Sequence, residues 1–310
     1  MSTLDFSTKI GSKRFSNPIF TASGCASSGQ ELSQFFPLSE LGAIVTKSIM
    51  TKPRTGRATP RMAETPSGML NSIGLQGPGI DTFLEKDIPW LVEQKAKIIV
   101  SIAGETVDEY GVLSRRLRAV SGISAVEVNI SCPNVENRGQ VFACHPDTAV
   151  AVIEAVRRNI GGELPIVAKL SPDVTDIVEI AASVINAGVD GLALINTLLG
   201  MVIDTNTMKP KLAGKTGGLS GPAIRPVAVR AIYQVHQAFP NIPIVGMGGV
   251  ASGRDALELI LAGASAVSIG TATFGNPNAA MQIKEELAEL LTQKGFNDFR
   301  DAIGFAHRGI

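Results

Sequence analysis

A cysteine between two asparagines is the feature of this sequence best suited to chemistry. An apolar run over residues 123–130 leads into Asn129-Ile130-Ser131-Cys132-Pro133-Asn134 and must end there, because proline cannot donate to a strand ladder. A thiol at a strand end acts as an acid, base or nucleophile where its surroundings permit. The flanking amides offer donors and acceptors that suit a flat ligand carrying amide groups. A buried cysteine with two turn asparagines is the alternative interpretation.

The composition narrows the class of protein. Of 310 residues, 45% are hydrophobic and 18% are charged, which is enough for a large core. Lys and Arg (28) balance Asp and Glu (28), so neither nucleic acid nor an anionic membrane is expected as a partner. The three cysteines, Cys25, Cys132 and Cys144, are spaced too irregularly for a disulfide framework and favour the cytoplasm. We expect no signal peptide and no membrane span.

Short apolar runs that could be buried strands recur along the chain. They are residues 19–22, 43–46, 98–101, 125–128, 165–168, 191–195, 242–245 and 266–269. Helical periodicity separates most of them, and Thr175 and Ser252 are the predicted N-caps of two helices. Eight alternating units predict an α/β fold, a (β/α)8 TIM barrel. A doubly wound open sheet is the alternative, although no GxGxxG motif opens a first βαβ unit.

Other segments decorate this predicted barrel. Residues 4–16 predict an N-terminal β-hairpin that plugs or decorates one end. Long loops are predicted after strands 2, 4 and 6. Two of them, residues 51–90 and 197–221, are rich in Gly and Pro and poor in periodicity. Loops of that length in a compact domain are usually functional.

Residues that follow the strands of such a barrel meet in one pocket. They include Lys47 and Lys169 but no carboxylate, so the pocket should prefer an anionic ligand. Gly248-Gly249 and Gly270-Thr271 follow strands 7 and 8, where barrels commonly bind phosphate; two tight turns are the alternative. Lys169 could instead pair with a structural carboxylate. The three histidines, His145, His236 and His307, lack the spacing of metal ligands and are interpreted as structural or surface residues.

Taken in order, these motifs resemble the soluble, class 1 dihydroorotate dehydrogenases over nearly the whole chain. The resemblance rests on Ser23-Gly24, Thr46-Lys47-Ser48, Pro60-Arg61, Asn71-Ser72-Ile73-Gly74-Leu75, Asn129–Asn134, Lys169-Leu170-Ser171-Pro172, Ile195-Asn196-Thr197, Thr216–Gly221 and Gly246–Val250. It implies a single FMN-binding barrel domain over residues 1–310. It also implies that Cys132 is the catalytic base and that a loop over residues 133–145, with Gly139 as a hinge, closes over the substrate.

The resemblance implies two overlapping sets of binding residues. The FMN site would comprise Ser23, Lys47, Ser48, Ser101, Asn129, Lys169, Ile195, Gly221, Gly248, Gly249, Gly270 and Thr271. The site for dihydroorotate or orotate would comprise Lys47, Asn71, Ser72, Ile73, Gly74, Leu75, Asn129, Asn134, Asn196 and Thr197, with Lys47 on the carboxylate and the amides on the ring. Position 101 is a departure, since similar chains often have Asn there; Ser keeps one hydrogen bond.

The subclass follows from finer similarities. Class 2 enzymes use a serine base and carry a membrane extension, whereas residues 61–65, 68–70 and 216–221 resemble the class 1B catalytic subunit. That similarity implies a homodimer core within a heterotetramer, whose second subunit carries FAD and a [2Fe-2S] cluster and passes electrons to NAD in pyrimidine (UMP) biosynthesis. The alternatives are a class 1A fumarate-dependent homodimer, a dihydropyrimidine dehydrogenase-like FMN enzyme, and a phosphate-binding barrel without redox function.

Overall fold

The chain begins with the antiparallel hairpin that its sequence predicts. The computed structural model describes residues 4–131 and 145–309. In it, β1 (Thr8–Ile10) pairs with β2 (Lys13–Phe15). Gly11 lies in the turn with φ of 53°, a left-handed conformation that glycine adopts without strain.

Eight parallel strands then form a closed sheet. The eight barrel strands are β3 (Ile19–Thr21), β4 (Ile44–Val45), β7 (Ile98–Ile102), β8 (Ile123–Asn129), β9 (Ile166–Lys169), β10 (Gly191–Leu194), β15 (Ile244–Met247) and β16 (Ala266–Ile269). The other strands after the hairpin are β5 (Met62–Thr65), β6 (Gly68–Asn71), β11 (Leu198–Met201), β12 (Ile203–Asp204), β13 (Lys209–Pro210) and β14 (Thr216–Ser220). The sheet order is β3-β16-β15-β10-β9-β8-β7-β4, and a parallel bridge between Phe20 and Ala43 joins its two edges. The predicted (β/α)8 barrel is therefore confirmed.

Helices cover the outside of this barrel. They are α1 (Ile80–Thr82), α2 (Ile88–Glu93), α3 (Val107–Leu117), α4 (Pro146–Ile160), α5 (Ile177–Asn186), α6 (Arg225–Ala238), α7 (Gly253–Ala262), α8 (Ala272–Gly275) and α9 (Ala279–Gln293), with a π-helical turn Phe83–Asp87 between α1 and α2. Single 3-10 turns are Leu32–Gln34, Leu38–Glu40, Pro222–Ile224, Phe299–Ala302 and Phe305–His307. Within the described ranges, none of the helices has the length and apolarity needed to cross a membrane.

The helix starts show one error in the predicted caps. Ser252 caps α7 as predicted, since its side chain accepts a hydrogen bond from the amide of Asp255. The predicted cap of α5 at Thr175 is wrong. The carboxylate of Asp176 accepts from the amides of Val178 and Glu179 instead, because a charged acceptor at the helix start satisfies two free amides and complements the helix dipole.

The strands of the barrel bury both of their faces. Their outward side chains pack against the helices in the main core. Their inward side chains form a second core with Phe20, Ile99, Ala125 and Val245 among its members. Successive side chains of a strand point to opposite faces, so the inward positions can be followed along each strand to the mouth of the barrel.

The two long segments after the second and sixth barrel strands contain unpredicted structure. Strands β11, β14, β6 and β5 form a four-stranded antiparallel sheet in that order. Long segments follow strands 2 and 6 as predicted, but the sheet within them was not predicted. The paired strands come from distant parts of the chain, and Gly68, Gly217 and Gly218 interrupt the apolar alternation that identifies a strand. The predicted loop after strand 4 falls largely on residues 132–144, outside the described residues.

We expect the hairpin to stabilise the barrel by plugging its lower end. The ring of Phe15 is fully buried and lies 5.0 Å from the ring of Phe20, centroid to centroid. Phe15→Ala should lower the free energy of unfolding by about 3–5 kcal/mol, as is usual for a deleted core phenylalanine. Urea denaturation measures this. Phe35→Ala is the control, because the Phe35 ring is 52% exposed. An equal loss of unfolding free energy in both variants would contradict a stabilising role of the hairpin.

Candidate active site

A cavity of about 570 Å³ lies at the carboxyl ends of the barrel strands, within the size range of sites for small ligands. It brings together most of the residues predicted to bind cofactor or substrate. These are Ser23, Lys47, Ser48, Asn71, Ile73, Gly74, Leu75, Asn129, Lys169, Ile195, Asn196, Thr197, Gly221, Gly248, Gly249, Gly270 and Thr271. Their individual roles remain predictions. Cys132, Asn134 and the hinge at Gly139 lie outside the described residues.

Two predicted residues lie behind the wall of this cavity. Ser72 is 1% exposed, and its hydroxyl accepts a hydrogen bond from Arg57 at 3.2 Å. Ser101 is fully buried, and its Oγ lies 2.9 Å from that of Ser48. Ser48 itself lines the cavity. Ser101 can therefore influence a ligand through Ser48.

A buried ammonium group dominates the electrostatics of the site. Lys169 ends β9, is 4% exposed, and donates from Nζ to the hydroxyl of Ser23 at 3.0 Å. Among residues 4–131 and 145–309, no carboxylate lies within ion-pair distance of it. Burying a charge is unfavourable unless an opposite charge compensates it. With Lys47 on the same cavity, the site is suited to an anionic ligand.

A second, more open cavity of about 800 Å³ adjoins the first at Cys25 and Lys47. Its lining includes the carboxylates of Glu31 and Asp87 beside Lys47 and Arg54, and Arg54 is already paired with Glu105, so the lining as a whole favours an anion less. The lining of the smaller cavity contains no Asp or Glu among the described residues. The smaller cavity, which Lys169 also lines, is therefore the better site for an anionic ligand.

Asparagines and serines form one wall of the smaller cavity. Asn129 donates from Nδ2 to Ser48 Oγ at 3.0 Å, and its Oδ1 accepts from Ser131 Oγ at 3.1 Å. Asn196 donates from Nδ2 to the carbonyl of Ser131 at 3.1 Å. The hydroxyl of Tyr110 donates to the carbonyl of Asn129 at 2.8 Å, which fixes the end of β8. These amides are held in place and can bind the polar edge of a flat ring.

Glycine turns form the opposite wall. Gly248 and Gly249 have φ of 121° and 77°, which other residues rarely adopt. A Cβ on Gly249 would lie 2.9 Å from the carbonyl oxygen of Gly221, so the turns approach closely. Ser268 contributes a buried Oγ that has no hydrogen-bond partner among the described residues. Backbone amides and an unused hydroxyl fit a phosphate-bearing ligand.

The antiparallel sheet over the barrel supplies the last part of the lining. The amide of Asn71 lies at the end of β6 and donates from Nδ2 to the carbonyl of Gly218 at 3.4 Å. A Cβ on Gly218 would lie 2.0 Å from the hydroxyl of Thr197. Only glycine therefore lets β14 pack against Thr197, and this contact brings Asn71 and Thr197 to the same mouth.

Sequence reasoning missed several residues of the lining. Met62, Met69 and Ser220 come from the sheet that was not predicted, and Met247 and Ser268 lie on inward positions of β15 and β16. The signal for the last two was available. Counting every second residue back from the strand ends identifies them.

Fold and site together define a (β/α)8 barrel with a cavity at the carboxyl ends of its strands that is suited to an anionic, flat ligand. The sequence profile of the family described as "Dihydroorotate dehydrogenase" matches residues 5–291. The chain belongs to the dihydroorotate dehydrogenase family, which is a family of oxidoreductases, and the predicted membership is confirmed.

Relatives show the same similarity over full length. A protein of Desulforamulus reducens named "Dihydroorotate dehydrogenase B (NAD(+)), catalytic subunit" is 50% identical over 304 residues, 98% of this chain and 99% of its own. A protein of the same name from Desulforudis audaxviator is 50% identical over 292 residues, 94% of each chain. Another of that name, from a Geobacillus species, is 49% identical over 288 residues, 93% of this chain and 91% of its own. The predicted resemblance to class 1B is confirmed.

Cys25 also lines the cavity and must be considered as a rival to Cys132 for the base. Burial raises the pKa of the Cys25 thiol, and the nearby ammonium groups of Lys169 and Lys47 oppose this effect without cancelling it. The folded protein therefore holds less Cys25 thiolate at neutral pH than a free cysteine would.

We expect Cys25 to react slowly with iodoacetamide at pH 7 in a variant whose other two cysteines are replaced by alanine. The alkylation rate should still be rising with pH beyond the ordinary thiol pKa, because the thiolate is the reactive form. Adding Lys169→Met should raise the pKa further, since it removes a stabilising cation. Mass spectrometry measures the amount of alkylated Cys25. An alkylation rate that levels off near neutral pH would contradict a raised pKa of the Cys25 thiol.

Proposed function

We propose that the chain oxidises (S)-dihydroorotate to orotate with bound FMN and is the catalytic subunit of an NAD-linked, class 1B enzyme of pyrimidine biosynthesis. The observation that carries this proposal is the buried ammonium of Lys169 beside a cavity whose described lining contains no carboxylate. It calls for a ligand that bears or develops negative charge. Family membership and the names of the full-length relatives support the substrate and the acceptor.

The residues of the cavity fit FMN. The phosphate would be held by the backbone at Gly248, Gly249 and Gly270, with Thr271 at the start of a short helix. The ammonium of Lys169 is suited to its ring, and the unpartnered hydroxyl of Ser268 is a further polar group that the cavity offers it. When bound, FMN supplies an acceptor for the hydride that leaves the substrate.

The remaining chemistry belongs to side chains of this chain. Cys132, as thiolate, removes the proton from C5 of dihydroorotate. Lys47 binds the carboxylate of the substrate, and Asn71, Asn129, Asn134 and Asn196 orient its ring so that the reacting C–H bonds are correctly placed. Lys169 stabilises the negative charge that would develop on the ring of the cofactor when it is reduced.

A partner subunit completes the proposal. The full-length relatives are each named a catalytic subunit with NAD(+) in the name, which supports a second subunit that passes electrons to NAD. We propose FAD and a [2Fe-2S] cluster on that subunit and a homodimer of this chain at the centre of the assembly. Purification from the native host with identification of the copurifying chain tests this arrangement.

We expect Cys132→Ala to retain FMN. Dihydroorotate should reduce the FMN of this variant about 10²- to 10⁴-fold more slowly than that of the wild type, which is the usual contribution of a general base. Anaerobic stopped-flow absorbance measures the reduction. The wild-type rate should rise with pH through the thiol pKa, because only the thiolate accepts the proton. Cys144→Ala is the control. Loss of flavin absorbance in Cys132→Ala at the wild-type rate would exclude Cys132 as the base.

We expect Lys47→Ala to weaken orotate binding about 10- to 100-fold, the loss of a charge-assisted hydrogen bond to a carboxylate. Titration calorimetry on the FMN-bound protein measures it. Dihydrouracil lacks the carboxylate and tests the dihydropyrimidine dehydrogenase alternative: the wild type should prefer dihydroorotate. Loss of FMN with unchanged orotate affinity would show that Lys47 serves the cofactor instead.

A further inference from the structure

A buried carboxylate lies one layer below the cavity. Ala125 belongs to the inward core of the barrel, so Glu127 and Asn129, two and four residues further along β8, point the same way. Asn129 lines the cavity, whereas Glu127 does not and is 2% exposed. In the sheet it is paired with Ser101 of β7. A carboxylate in this position needs hydrogen-bond donors to stabilise its charge.

The donors form a chain with a fixed direction. Ser101 Oγ donates to Glu127 Oε1 at 2.9 Å and lies 2.9 Å from Ser48 Oγ. A hydroxyl has one hydrogen, and that of Ser101 is directed to Glu127, so Ser48 must be the donor to Ser101. Asn129 Nδ2 in turn donates to Ser48 Oγ at 3.0 Å. Every bond therefore runs from the cavity toward the carboxylate.

This direction determines what the wall offers to a ligand. Because the hydrogen of Ser48 points into the barrel, its Oγ faces the cavity with a lone pair and can accept from an N–H group. Asn129 is also held from its other end, since the amide of Ser131 donates to its Oδ1 at 3.3 Å. Ser48 has no such second restraint among the described hydrogen bonds, so its polarity depends on Glu127.

We propose that Glu127 is a positioning residue of the cofactor site: through Ser101 it orients Ser48 to accept a hydrogen bond from the ring N–H of bound FMN. The proposal rests on the proposed function, because FMN is the ligand. A neutral glutamine at position 127 can either accept or donate. The chain could then reverse, and Ser48 would present its hydrogen to the ring N–H.

The first test is the rate at which the purified, full-length holoprotein releases FMN on dilution, followed as recovered flavin fluorescence. We expect Glu127→Gln to release FMN about tenfold faster, the effect of one lost hydrogen bond expressed in the dissociation rate. Its unfolding temperature should be equal to or above that of the wild type, because a buried charge is removed. Glu286→Gln is the matched control: this carboxylate accepts from the amide of Gly253 at 2.6 Å, and FMN release should be unchanged.

A double-mutant cycle separates positioning from simple structural support. Ser101→Ala cuts the same link and should also release FMN about tenfold faster. Glu127→Gln should then add nothing in the Ser101→Ala background. Release of FMN at the wild-type rate by both single variants would overturn the proposal. So would a Glu127→Gln substitution that speeds FMN release as much in the Ser101→Ala variant as in the wild type. A wild-type protein that does not retain FMN would instead refute the proposed function and this inference with it.

Discussion

The buried ammonium of Lys169 is the constraint that the rest of the site satisfies. Its side chain is 4% exposed at the end of a barrel strand, and a hydroxyl of Ser23 is the hydrogen-bond partner that the structure records for it. A hydroxyl satisfies one of three donors and none of the charge. Among residues 4–131 and 145–309 no carboxylate pairs with it, so a negatively charged ligand in the cavity would stabilise this charge.

The barrel interior is arranged in layers that suit this requirement. The hairpin residues Ile10 and Phe15 join the inward core and close the lower end with apolar side chains, which keep the dielectric constant low. Polar groups lie toward the mouth: Glu127 and Ser101 are buried one layer below the cavity, and Asn129 and Lys169, paired across β8 and β9, line it. Electrostatic interactions at this boundary are strong because water is excluded from one side.

Glu127 shows why a carboxylate can belong to an anion site without lining it. On the wall it would repel the ligand. One layer below, behind Ser101 and Ser48, it acts through hydrogen bonds whose direction it sets, while two intervening hydroxyls separate its charge from the ligand. The site thus gains a defined polarity and keeps a cationic surface.

The sequence predicts those parts of the molecule that local pattern determines. Apolar runs identified the barrel strands, although β15 begins at Ile244, two residues later than predicted, because Pro243 cannot donate to the ladder. The antiparallel sheet was missed because its pairing is non-local and glycine-rich. Glu127 was not predicted, because the predicted site comprises the residues that follow each strand, whereas the inward alternation within β8 places the side chain of Glu127.

Position 101 connects these points. The resemblance to the class 1 enzymes predicts asparagine there and predicts that this residue contacts the cofactor. In this chain the shorter serine is fully buried and bonded on both sides, to Ser48 and to Glu127. A side chain that cannot reach the cavity leaves the contact to Ser48. Under the proposed function, Ser48 rather than residue 101 would contact the cofactor, and Glu127 would set the polarity of that contact through Ser101.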